Sequence, residues 1–159
     1  MGTCVEGVDM DIVFNRPILY LSHAIRGDGS RTVTENCERA CRVASKIKRL
    51  FPEISLYVPG ESDLSLQVLW DAKKITVEDI MYADLEILRA CSGWMWWETG
   101  PSVGCEQEYE EAVKMNFTKD LINYPIEIIP TDLLKANYGE VRRLLTPIVE
   151  KAKRRFKSS

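Results

Sequence analysis

Two hydrophobic periods alternate along this chain, and that alternation limits its fold more than any single residue does. Short apolar runs rich in β-branched and aromatic residues read as buried strands: 18–22 within PILYLSH, ISLYVP at 54–59, GWMWW at 93–97 and PIEIIP at 125–130. Between and after them, apolar residues recur three and four positions apart, which predicts helices over about 34–51, 64–73, 76–91, 106–117 and 138–156. Cys37, Ala40, Cys41, Ala44, Ile47, Lys48 and Phe51 mark one face of the first, and Pro52 stops it. Thr76 and Asp79 imitate a capping box at the start of the third. Tyr109, Ala112 and Val113 mark one face of the fourth, and Pro147 is a possible kink in the last. Strand followed by helix, four times over, predicts an α/β fold: a doubly wound parallel sheet of four or five strands with helices on both faces. A length of 159 residues fits one domain. Residues 1–16 read as an N-terminal extension and 137–159 as a C-terminal helical segment.

Composition removes several function classes. Lys and Arg number 21 against 24 Asp and Glu, so the net charge is -3 and no basic footprint for nucleic acid is present. No apolar run approaches the ~20 residues of a membrane span. The first fourteen residues carry three acids and no Lys or Arg, unlike the basic start of a signal peptide. Five scattered cysteines, an odd number, read as reduced thiols and point to a cytoplasmic protein. Cys37 and Cys41 share a helix face, but a second cysteine pair is lacking and the chain has one histidine, so no metal site is expected.

A flavodoxin-like sheet takes its ligands outside the carboxyl ends of the strands. That directs attention to 22–33, 59–63, 97–104 and 130–136. The first strand ends in Tyr20, Ser22, His23 and Arg26, with Gly27 in the turn. Asp84 lies in the helix before the third strand, and Gly100 to Glu108 forms a loop that becomes a helix. Such a loop offers backbone N–H groups and a helix dipole to an anion. No Gly-Lys-Ser/Thr follows, so it is not a Walker loop. Each residue also has an ordinary reading: helix carboxylates such as Asp84 and Glu108 usually face water, and a tyrosine on a buried strand usually packs. Of Trp94, Trp96 and Trp97, two are expected to pack under helices and the third to be available to a base.

Taken together, these segments resemble the nucleoside 2-deoxyribosyltransferase superfamily, and most closely its 2'-deoxynucleoside 5'-monophosphate N-glycosidase branch. The resemblance rests on Tyr20 followed by Ile25-Arg26-Gly27, on Asp84-Leu85-Glu86-Ile87-Leu88, and on Pro101-Ser102-Val103-Gly104-Cys105-Glu106-Gln107-Glu108. It covers about residues 17–130. The chain departs from the family pattern at His23-Ala24, where Gly-Ser is usual, at Glu106-Gln107 before the glutamate, and at Ser92.

The resemblance implies Glu108 as the nucleophile, Tyr20 as its orienting partner, and Asp84 as a group that binds the sugar hydroxyl or helps move the leaving base's proton. It implies Arg26, Ser102 and the backbone near Gly104 as the holders of a 5'-phosphate, with His23 and Gly27 in the same substrate-binding turn. The implied reaction is hydrolysis of a (deoxy)nucleoside 5'-monophosphate with no metal or organic cofactor, in a homodimer or larger homo-oligomer. Base exchange between nucleosides and a non-catalytic nucleotide-binding module are the alternatives.

Overall fold

The computed structural model describes residues 15–61, 68–69, 71–118 and 124–158. Its elements run β1 (Ile18–His23), α1 (Val33–Leu50), β2 (Ser55–Tyr57), α2 (Val77–Ala90), β3 (Gly93–Trp97), α3 (Val103–Thr118), β4 (Ile126–Ile129) and α4 (Tyr138–Ser158). The described strands form one parallel sheet in the order β2-β1-β3-β4. Of the helix expected over 64–73, residues 68, 69 and 71 are helical, and 64–67 and 70 lie outside the described residues.

Strand alternation sorts the core into two layers. Leu19 and Leu21 of β1, with Met95 and Trp97 of β3, pack against Ala40, Val43, Ala44 and Ile47 of α1 and Val141, Leu145 and Val149 of α4. Tyr20 and Trp94 point the other way, against Leu88 of α2, Ala112 and Met115 of α3, and Tyr124. Helices therefore cover both faces, and the architecture is the doubly wound α/β fold expected from the sequence. Among the described residues no helix is long and apolar enough to cross a membrane.

The boundaries moved where local chemistry outweighs periodicity. Thr32, not Thr34, starts the first helix, because its hydroxyl accepts from Glu35 N while Glu35 closes a reciprocal capping box. Thr76 and Asp79 form the capping box foreseen at α2. Helix α3 begins at Val103, inside the expected loop, because Ser102 caps it: Ser102 Oγ accepts from Cys105 N at 3.1 Å. Strand β2 shrinks to three residues before Pro59, and α4 continues across Pro147.

The order β2-β1-β3 sends the chain from β1 to opposite edges of the sheet. The loops after β1 and β3 therefore part at the carboxyl end of these two neighbours, which opens a crevice there.

Candidate functional site

Helix α3 turns Cys105, Glu108, Ala112 and Met115 toward the sheet, spaced three, four and three residues apart. This corrects the expected face of Tyr109, Ala112 and Val113, since Tyr109 is 38% exposed. Three of the four inward residues are small or apolar; the fourth is a carboxylate that is 4% exposed. A buried carboxylate is costly unless donors satisfy its oxygens. Here the donors come from one strand. Tyr20 and Ser22, two residues apart and so on the same face of β1, reach the two oxygens separately. Tyr20 Oη donates to Oε2, and Ser22 Oγ donates to Oε1 at 2.5 Å.

Both donors stay donors. Burial, with the negative charge of Glu108 next in effect, raises the Tyr20 phenol well above its ordinary ionisation range. The Ser22 oxygen also lies 3.1 Å from Cys105 Sγ. Burial first, and Glu108 second, push that thiol up to about 12, so Cys105 is a protonated neighbour and not a nucleophile at neutral pH.

Asp84 arrives from α2, 6% exposed and one turn before the buried Leu88. Tyr57 Oη donates to its Oδ1 at 2.7 Å. Tyr57 is the in-register neighbour of Tyr20 on β2, and the two rings lie 5.1 Å apart, tilted by 47°. Two carboxylates from two helices thus meet two tyrosines from two strands over one face of the sheet.

Above them a cleft of about 860 Å³ opens between α2, α3 and the loop after β1. Its walls include Glu108, Asp84, His23, Arg26, Gly27, Ser102 and Gly104, which are all the expected site residues except Tyr20. Tyr20 is fully buried and lies beneath Glu108. Arg26 and Gly27 are exposed at the rim. Gly27 has φ +56, a left-handed conformation that a side chain disfavours, and Asn36 Nδ2 holds this turn through the Ile25 carbonyl at 2.7 Å.

Three expected binding residues also carry structural work. Ser102 spends a lone pair on the α3 cap and retains its hydroxyl proton for donation. At Gly104 an added Cβ would sit 3.1 Å from Met81 Cε, so a side chain there would press on the methionine that α2 brings to the cleft. His23 is 4% exposed and packs so tightly on Gly60 that a Cβ there would fall 2.7 Å from its Nε2. Burial lowers its titration to about 4, which makes it a neutral ring in the wall.

Ser22 and Tyr57 were not among the expected site residues. Ser22 is legible from alternation alone, because it must share a face with Tyr20. Tyr57 becomes visible only through the β1–β2 register. Trp94 and Trp97 are buried, whereas Trp96 lines a second hollow of about 350 Å³ beside Ser102. Among the described residues no group of three or more His, Cys, Asp or Glu side chains is arranged to hold a metal ion. No protein-family model and no curated protein sequence matches the chain.

Proposed function

We propose that this protein hydrolyses the N-glycosidic bond of (deoxy)nucleoside 5'-monophosphates, releasing the free base and (deoxy)ribose 5-phosphate. The observation that carries this reading is Glu108: a carboxylate buried at the base of a cleft with one donor from β1 on each oxygen. Burying a charge there opposes stability, and a chain that only packed would gain more from an apolar residue. A reaction that develops positive charge at a sugar carbon gives the carboxylate a use.

Cleavage of an N-glycosidic bond passes through an oxocarbenium-like state. One oxygen of Glu108 attacks the anomeric carbon as the carbon–nitrogen bond breaks, and the bonding pair leaves with the base, which takes up a proton delivered from solvent. The product of this half-reaction is a glycosyl ester of Glu108. Water then attacks the same carbon and releases a proton to solvent, which restores the carboxylate and gives the sugar phosphate. Tyr20 and Ser22 hold the carboxylate on its line of attack. Asp84, on the facing helix, serves the sugar hydroxyl or the proton of the leaving base. Arg26 provides a planar fork for phosphate, and the Ser102 hydroxyl and the N-terminus of α3 add donors. Side chains and water account for every bond made and broken, so no metal or organic cofactor enters the scheme.

The protein is further proposed to act in the cytoplasm as a homodimer or larger symmetric oligomer. Val77, Tyr82 and Val103 at the mouth of the cleft are 39%, 68% and 72% exposed, an apolar rim suited to a second copy. Sedimentation at tens of micromolar checks this, and a monomer alone would refute it. The reaction itself is tested by incubating the protein with a panel of nucleoside 5'-monophosphates and the matching nucleosides, and separating free base by chromatography. Base released with sugar phosphate from monophosphates is the expected result. Release that depends on a second base would indicate transfer, and no release from any member would defeat the proposal.

A further inference from the structure

The cleft contains a second carboxylate whose orientation has a cause outside the implied catalytic set. Asp84 sits on α2, but the hydroxyl that meets it at 2.7 Å belongs to Tyr57, the last residue of the short strand β2. Helices can roll and slide over a sheet by small amounts, whereas a registered strand neighbour is fixed by its backbone ladder. Tyr57 pairs with Tyr20, and their rings pack at 5.1 Å. The partner of Asp84 is therefore tied to the partner of Glu108.

We infer that Tyr57 is a positioning residue: by donating to Asp84 Oδ1 it holds this carboxylate as a hydrogen-bond acceptor aimed into the cleft, in fixed relation to Glu108. The inference rests on the N-glycosidase reading for the meaning of activity, but the contact itself does not. A donor on a carboxylate oxygen favours the ionised form. Asp84 then meets the substrate as an acceptor, suited to a sugar hydroxyl or to the positive charge that develops on the ring. Besides Tyr57 on β2 and Tyr20 on β1, the titratable or charged groups that share the cleft with it are His23 on β1 and Arg26 in the loop after it, Glu78 and Tyr82 on α2, and Cys105, Glu108, Glu110, Glu111 and Lys114 on α3.

The test is Tyr57→Phe, which keeps the ring on Tyr20 and removes only the hydroxyl. Two readouts are made on the full chain. The first follows the carbon resonance of the Asp84 carboxyl with pH, in the wild type and the variant without substrate. The second follows kcat and KM for a 5'-monophosphate across pH. The expected results are an Asp84 titration moved to higher pH, an acid limb of kcat/KM moved the same way, and kcat lowered by roughly tenfold with KM nearly unchanged. An Asp84 titration identical in the two proteins overturns the inference, as does a variant whose pH profile is unaltered. If the wild type releases no base at all, the enzymatic reading fails, while the carboxyl titration still decides whether Tyr57 governs Asp84.

Discussion

Tyr20 and Glu108 lie 88 positions apart in the chain, yet the phenol of one donates to the carboxylate of the other in a buried contact between β1 and α3. The parallel crossover creates this meeting: α3 leaves the strand beside β1 and returns over the same face of the sheet. With Ser22 on the second oxygen, the carboxylate is set before any substrate arrives, which is the preorganisation that catalysis rewards.

Tyr20→Phe and Ser22→Ala each remove one donor from Glu108. Each is expected to lower kcat roughly ten- to hundredfold, the range for a hydrogen bond to a charged group. Because both act through one carboxylate, the double variant is expected to lose clearly less than the product of the two single losses. Steady-state kinetics on the three proteins checks this, and strict multiplicativity would show that the two hydroxyls act independently.

His23 makes stability depend on pH in a predictable direction. Its titration falls from 6.5 to about 4 on burial, so between those values the unfolded chain binds a proton that the folded chain excludes. The contribution is fully present above about 6.5 and is lost as pH drops toward 4, for a total on the order of 3 kcal/mol. Urea denaturation at several pH values, in the wild type and in His23→Asn, is expected to show a shallower acid loss in the variant. Equal slopes would mean that the ring is accessible to protons. Gly60→Ala, which drives a methyl into the space of the imidazole Nε2, is expected to destabilise the fold at every pH.

The fold was legible because its strands and helices carry different periods, and because Pro52 and the Thr76–Asp79 box mark element ends chemically. Glu108, Asp84 and Tyr20 were legible as members of ordered motifs. The inward face of α3 was not: hydrophobic spacing selects Tyr109, and a carboxylate in the core contradicts the pattern that finds cores. Ser22 could have been found by counting two residues from Tyr20. Tyr57 could not, since its partner is set by inter-strand register and by the seat of α2, neither of which is a local property. Ser102 shows the converse: its motif points to a ligand, and the structure also uses its hydroxyl to cap α3.

Arg26 is expected to give the preference for a 5'-phosphate. Its exposed position at the rim, in the turn containing Gly27 at φ +56, places it in the lining of the same cleft as Ser102 and Gly104. Arg26→Ala is expected to reduce kcat/KM for the monophosphate roughly ten- to hundredfold while affecting the nucleoside much less. Arg26→Lys should restore only part, because a point charge does not reproduce the planar fork. Equal losses on both substrates would reduce Arg26 to a residue that shapes the turn.

The account stands or falls on Glu108, and Glu108→Gln tests it with little change in volume. The measurement is base release from 5'-monophosphates by the variant, alongside circular dichroism and thermal melting to confirm a folded protein. The account predicts a folded variant whose release falls by on the order of a thousandfold or more, several kcal/mol of transition-state stabilisation. A folded Glu108→Gln protein that releases base at the wild-type rate would contradict it.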